Sequence, residues 1–112
     1  MQLVKKGRFL IWSGEATEYQ TATFPAVNLS MFQYLIIKTG EGNENMLIPI
    51  EGNGKYYGSI NTYSDSRIYI KSLLISIVGD HFYIESAKEK IVGINTTGNI
   101  QAFKIFKIWG IC

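Results

Sequence analysis

The side chains that could carry out chemistry are few and scattered along this sequence. His81 is the only histidine, and no serine or cysteine nucleophile motif lies near it in the sequence. We therefore interpret His81 as a polar residue beside a turn rather than as a proton-transfer group. The acidic residues follow no fixed spacing and do not form the paired-carboxylate motif of a glycosidase. The sequence therefore predicts a protein that is not an enzyme.

Motifs for cofactors and metals are missing as well. Cys112 is the only cysteine, so neither an internal disulfide nor a thiolate metal cluster can form. The turn Gly52-Asn53-Gly54 is rich in glycine, but no helix is predicted after it, and a phosphate or dinucleotide loop needs one. We expect no cofactor and no metal ligands.

Tyrosines and charged residues gather in one part of the chain. The group consists of Tyr56, Tyr57, Tyr63, Asp65 and Arg67. Flat aromatic rings stack on the apolar faces of sugars, and carboxylates and guanidinium groups hydrogen-bond to hydroxyls. This group is therefore our candidate saccharide surface. Packing of tyrosines across neighbouring strands is the alternative.

The two tryptophans lie within apolar runs of the sequence. Trp12 is preceded by Phe9, Leu10 and Ile11, and Trp109 follows Ile108. Such positions favour either the core or a contact between subunits, because an indole ring is a large apolar group that is stabilised by burial. We take both tryptophans as interface candidates.

Length and composition bound the class of protein. The chain has 112 residues, 46% of them hydrophobic and 18% charged, which predicts one globular domain over residues 1–112. The net charge is only +2, and the basic residues contain no run of three, so no nucleic-acid footprint is present. No apolar run approaches the ~18 residues that span a bilayer, and no signal-peptide pattern opens the chain.

Apolar, β-branched runs separated by turn residues occur throughout the sequence. Residues 32–38 predict a central strand that enters a polar loop, and residues 67–78 carry the longest strand signal in the sequence. The spacing of these runs predicts about eight to ten short strands and little or no helix. The fold class is therefore all-β, an antiparallel β-sandwich with a jelly-roll-like arrangement.

Turn residues predict how neighbouring strands are connected. A first hairpin is predicted between residues 8–13 and 17–24. The turn Asn53-Gly54 predicts a tight second hairpin between residues 46–50 and 55–60. Pro49 lacks a backbone donor, which places its strand at a sheet edge or at a bulge. The polar segment 61–66 predicts an exposed connection, and 87–90 is too short for a stable helix.

Three segments resemble small β domains of bacteriophage tail and baseplate proteins. Residues 10–16 form a strand followed by glycine and small residues, and residues 27–37 carry a leucine-serine entry into a tyrosine-leucine strand. Residues 106–111 close the chain with Lys107-Ile108-Trp109-Gly110-Ile111. Together these segments extend the resemblance over nearly the whole chain.

The resemblance implies a β-sandwich at the distal end of a tail fibre, tail tip or baseplate, commonly a homotrimer. Its implied partners are bacterial surface polysaccharide and other tail proteins, and its implied location is the virion, after assembly in the host cytoplasm. The resemblance supplies no catalytic residues. We therefore expect a non-enzymatic phage module for host recognition and virion assembly. The alternative is a bacterial carbohydrate-binding module, monomeric or associated with an enzyme, that presents an exposed aromatic strip.

Overall fold

Strands make up most of the protein. The structure is a computed structural model and describes residues 8–23, 29–40, 44–64, 66–79, 81–93 and 100–112. The strands are β1 (Phe9–Ala16), β2 (Thr21–Thr23), β3 (Tyr34–Lys38), β4 (Asn45–Pro49), β5 (Gly54–Ser64), β6 (Arg67–Val78), β7 (His81–Gly93), β8 (Ile100–Ala102) and β9 (Ile105–Ile111). Within the described ranges the only helical element is one 3₁₀ turn, Leu29–Met31. The all-β prediction is confirmed.

The strands form two antiparallel sheets. The four-stranded sheet has the order β1-β9-β3-β4, and the five-stranded sheet has the order β2-β7-β6-β5 with β8 also on β7. β2 and β8 pair with different stretches of β7, since β2 lies opposite residues 81–83 and β8 opposite residues 88–90. The two sheets pack face to face, which confirms the predicted antiparallel β-sandwich.

The core lies between the sheets and is built from alternate residues of each strand. Leu35 and Ile37 of β3 are fully buried against Ile75 and Ile77 of β6 and Phe82 of β7, and all five belong to one hydrophobic cluster. Each such side chain contributes roughly 1.5–3 kcal/mol of hydrophobic stabilisation. The predicted central strand is confirmed, because β3 is paired with β9 on one side and β4 on the other.

Both early hairpin predictions are wrong. β1 and β4 belong to the four-stranded sheet, whereas β2 and β5 belong to the five-stranded sheet, so each of these turns carries the chain from one sheet to the other. Gly52 adopts a positive φ of 67° in the second crossing. Turn residues indicate a reversal but not which strand will pair, and burial between two sheets decided the pairing here. Pro49 does lie on an edge strand, as predicted.

The five-stranded sheet extends further than the sequence predicted. β5 continues to Ser64, through most of the predicted connection, and β7 continues to Gly93, through the helix-favouring residues 87–90. Cross-strand pairing with β6 over its full length stabilises both polar segments as strand.

The difference in strand length leaves part of one sheet uncovered. β5, β6 and β7 have 11, 12 and 13 residues, whereas β3 and β4 have five each. The inner face of β6 accordingly changes along the strand from the buried Leu73, Ile75 and Ile77 to Lys71 and Tyr69. The long strands therefore carry polar residues beyond the end of the core.

Candidate functional site

A polar pocket lies where the five-stranded sheet extends past the core. We call it the overhang pocket; its volume is about 360 Å³. Its walls come from the residue before β4 and from the adjacent ends of β5, β6 and β7. The lining residues are Glu44, Thr62, Tyr63, Ser64, Tyr69, Lys71 and Glu89.

Strand register brings these side chains together from distant parts of the chain. Thr62 lies directly opposite Tyr69, and Lys71 lies directly opposite Glu89. Because Tyr69 and Lys71 are two residues apart on β6, these pairs form adjacent rows on the same face of the sheet. The pocket floor is thus built on paired strands, which hold side chains more rigidly than a loop would.

Lys71 is the most buried charged residue of the pocket. Only 7% of the residue is exposed. Its ammonium forms an ion pair with Glu44 and donates a hydrogen bond to the carbonyl oxygen of Thr39 at 2.9 Å. The ammonium also lies 5.4 Å from the ring centroid of Phe103. A buried charge requires such partners, and here they fix the position of the ammonium in the pocket wall.

Carboxylates and hydroxyls provide the other polar groups. Glu89 accepts a hydrogen bond from the Gln101 side-chain amide at 2.8 Å, which orients the carboxylate across β7 and β8. Thr62 and Ser64 supply hydroxyls, and Tyr69, which lies opposite Thr62, lines the same space. Tyr63 also borders the pocket, but strand alternation places its side chain on the outer face of β5. The pocket thus combines aromatic surface with hydrogen-bond donors and acceptors of both charges, a mixture that suits a ligand rich in hydroxyls.

The predicted saccharide residues are distributed over different surfaces. Tyr63 is 73% exposed and lines the pocket, and Arg67 lies opposite the pocket residue Ser64 in the strand register. Tyr57 is 75% exposed on the outer face of β5, six residues from Tyr63. Asp65 lies outside the described residues. The structure therefore brings Tyr63 and Arg67 to one end of the sheet and leaves Tyr57 farther along it.

Tyr56 has a different position from its neighbour, because successive residues of a strand face opposite sides. Its ring packs against the core cluster. Its hydroxyl donates to the carbonyl oxygen of Gly52 at 2.7 Å and accepts from the backbone N–H of Glu51 at 2.8 Å. Tyr56 thus fixes the crossing between β4 and β5, and its ring is turned away from the outer face that Tyr57 occupies.

The two tryptophans lie on opposite faces of the four-stranded sheet. Trp12 packs against the core, with its ring edge-on to Phe82 at a centroid distance of 5.6 Å. A register shift between Leu10 and Trp12 lets both Ile11 and Trp12 reach the core. Trp109 lies on the outer face, where the Arg8 guanidinium is 5.4 Å from its ring centroid and the Lys107 ammonium 6.0 Å.

Trp109 belongs to an apolar row that crosses the whole outer face of this sheet. The register aligns Leu10, Trp109, Ile36 and Leu47 on four neighbouring strands, and we call these four residues the outer row. Leu10 and Leu47 are 55% and 59% exposed, whereas Ile36 between them is only 9% exposed. The row is a candidate contact surface, consistent with the prediction for Trp109.

Sequence reasoning missed the overhang pocket, although one signal in the sequence could have found it. Lys71 is the only charged residue in the apolar run 68–78. It has the same parity as Leu73, Ile75 and Ile77, so it had to point toward the core side and needed a buried partner. Its partner Glu44 lies 27 positions earlier in a polar loop, and no local pattern identifies that pairing.

Comparison of the chain with protein-family models, curated proteins and solved structures finds no match. The resemblance to phage tail domains therefore stays a prediction, as does the predicted trimer. Among the described residues, no helix is long and apolar enough to cross a membrane. In the same part of the chain, no three histidine, cysteine or acidic side chains are grouped so that they could hold a metal ion.

Proposed function

We propose that this protein is a non-enzymatic saccharide-binding module and that the overhang pocket is its binding site. The observation that carries the proposal is the combination of the Tyr69 ring with a fixed ammonium and an oriented carboxylate in one open pocket. Sugars present apolar ring faces and directional hydroxyls, so they are recognised by this mixture. At about 360 Å³, the pocket would take a small saccharide or the end of a longer chain.

The groups that would contact the ligand have separate roles. Tyr69 offers ring surface for stacking, and the Glu89 carboxylate accepts hydrogen bonds from hydroxyls. The Lys71 ammonium donates, and its bonds to Glu44 and Thr39 mean that it needs little reorganisation on binding. Since Glu44 is engaged by Lys71, Glu89 is the one carboxylate left for the ligand among the described residues that line the pocket. This favours binding over the two-carboxylate chemistry of a glycosidase.

In the context implied by the resemblance, the ligand would be bacterial surface polysaccharide and the module part of a phage tail or baseplate. The outer row supports the assembly half of this proposal. It presents Leu10 and Leu47, both more than half exposed, beside Trp109 on the sheet face opposite the core. Exposed apolar side chains in one row favour contact with another protein surface.

A second candidate is a bacterial carbohydrate-binding module that uses an aromatic strip. Tyr57 and Tyr63 lie on the same outer face of β5, both are about three-quarters exposed, and Ser59 and Asn61 lie between them. Because the two tyrosines are six positions apart on the strand, their rings are roughly 20 Å apart, which suits an extended glycan lying along the strand. In this second candidate function, the overhang pocket would take no part in saccharide binding.

A glycan array tests the first proposal and separates it from the second. The array carries oligosaccharides from bacterial lipopolysaccharide and from cell-wall teichoic acid. Tyr69→Ala and Glu89→Gln should abolish the wild-type signal, and Tyr57→Ala should retain it. Loss with Tyr57→Ala alone would favour the strip instead. No binding by the wild type, or release of new reducing ends from the bound glycan, would contradict a non-enzymatic saccharide-binding module.

A further inference from the structure

β5 forms a free edge of the five-stranded sheet. In the described part of the chain it pairs only with β6, in an unbroken register from Gly54 opposite Ile77 to Ser64 opposite Arg67. In an antiparallel pair, alternate residues direct their N–H and C=O groups away from the partner strand. β5 therefore presents a row of backbone donors and acceptors along 11 residues.

This edge lacks the features that usually protect an edge strand from pairing. Proteins block such edges with proline, with bulges, with very short strands or with charged side chains. β5 contains no proline, its register with β6 shows no bulge, and its single charged residue, Lys55, lies near its start. By contrast, β4 at the edge of the other sheet has only five residues and ends in Pro49. β5 is suited to accept another strand.

We propose that β5 pairs with β5 of a second copy of this chain, antiparallel and with the two-fold axis at Ile60. In this register Tyr57 lies opposite Tyr63 of the second copy, and Ser59 lies opposite Asn61. Aromatic pairs and polar pairs directly across two strands stabilise a sheet, and no like charges meet. Centring the axis on Ser59 would instead place Tyr57 opposite Asn61 and Lys55 opposite Tyr63. The sequence of β5 therefore favours the axis at Ile60.

The pairing would join two five-stranded sheets into one continuous sheet. Its closed two-fold symmetry gives a dimer, which differs from the trimer predicted from the resemblance. Tyr57 of the second copy would lie beside Tyr63 on the outer face of the joined sheet, opposite the face that carries Tyr69 and Lys71. The dimer itself does not depend on saccharide binding, because its experiment uses the protein without ligand.

Analytical ultracentrifugation of the full chain tests the assembly. We expect a concentration-dependent dimer for the wild type at micromolar to millimolar concentration. The double variant Ser59→Lys/Asn61→Lys places added ammonium groups opposite each other across the axis, and it should sediment as a monomer. Ser72→Lys is the matched control, because Ser72 is an exposed residue on the same face of the central strand β6 and is paired with Ser59. This control should keep the dimer.

Disulfide cross-linking tests the register. Ser59→Cys and Asn61→Cys are made separately in a Cys112→Ser background, since Cys112 is a free thiol. A mixture of the two proteins should cross-link, because positions 59 and 61 face each other. Either protein alone should not, since two identical positions are then diagonal neighbours and too far apart for a disulfide. A monomeric wild type, a dimer that the two lysines leave intact, or equal cross-linking by the single proteins would overturn the proposal.

Discussion

The Lys71 ammonium and the Glu44 carboxylate form an ion pair beneath the overhang pocket, with the side chain of Lys71 91% buried and that of Glu44 82% buried. This pair connects Glu44, the residue before β4, to the middle of β6, and so it joins the two sheets at the point where the core ends. It also places a fixed positive charge in the wall of the pocket. Stability and the proposed binding site thus depend on the same two side chains.

Lys71→Met should destabilise the protein by about 3 kcal/mol, because it leaves the Glu44 carboxylate buried without its partner. The double variant Lys71→Met/Glu44→Gln should recover much of that loss, since it removes both charges. Urea unfolding of both variants and the wild type measures the difference. If Lys71→Met alone were as stable as the wild type, the ion pair would contribute nothing to the fold.

Gly110→Ala should destabilise the protein by about 1–3 kcal/mol through overpacking. A Cβ on Gly110 would lie 2.5 Å from Cδ1 of the Phe32 ring and within 2.7 Å of two further ring atoms. Gly14→Ala is the matched control, because Gly14 is exposed on β1 and its Cβ would come no closer than 3.0 Å to the Trp12 ring. Thermal unfolding of the two variants should therefore rank Gly110→Ala well below Gly14→Ala. The reverse order would show that the Phe32 ring is not held over β9.

Trp12→Ala should cost up to about 3 kcal/mol, the lower end of the range for truncating an aromatic residue in a core, and Trp109→Ala should cost less. Trp12 is partly buried and packs edge-on to Phe82 against the core cluster, whereas Trp109 lies on the outer face beneath Arg8 and Lys107. Chemical unfolding monitored by circular dichroism gives both values. The fluorescence of the tryptophan that remains in each variant shows whether the surroundings of that residue are intact. Equal losses for the two variants would contradict their assignment to opposite faces.

Stability should fall in acid partly through Glu18. The hydrogen bond and ion pair with Lys88, at 2.7 Å, hold the pKa of Glu18 below its ordinary value of 4.5, against the opposing effect of burial. A lowered folded-state pKa stabilises the protein at pH values above the unfolded value, and that stability is lost as pH falls through the folded value. The wild type should therefore lose stability below pH 4.5 more steeply than Glu18→Gln. Parallel curves of unfolding free energy against pH would exclude this contribution.

Much of the architecture could be predicted from the sequence, because β-branched runs and turn residues are local signals. The central strand β3, the long strand β6 and the edge position of Pro49 all follow from such patterns. Sheet membership does not, and the turns before β2 and β5 connect different sheets although they resemble hairpin turns. Whether such a turn connects two strands of one sheet or strands of different sheets depends on which surfaces are buried against each other, and that is a property of the whole chain.

The candidate site was predictable only in part, for the same reason. Tyr63 was identified from its residue type, and it does line the pocket. Tyr56 was grouped with it, but strand alternation turns Tyr56 toward the core, where its hydroxyl bonds to the Gly52 carbonyl oxygen. Lys71 and Glu89 meet only because β6 and β7 pair over their full length. A register of this kind follows from long-range pairing rather than from neighbouring residues.

The central claim, that the overhang pocket binds saccharide, is tested most directly by a nuclear magnetic resonance titration of the labelled protein. The probe is a set of oligosaccharides prepared from bacterial lipopolysaccharide and from cell-wall teichoic acid. We predict saturable shifts of the backbone amides of Tyr69, Lys71 and Glu89, and their loss in Tyr69→Ala. Unchanged spectra with every oligosaccharide, or shifts confined to the outer face around Tyr57 and Ser59, would contradict the claim.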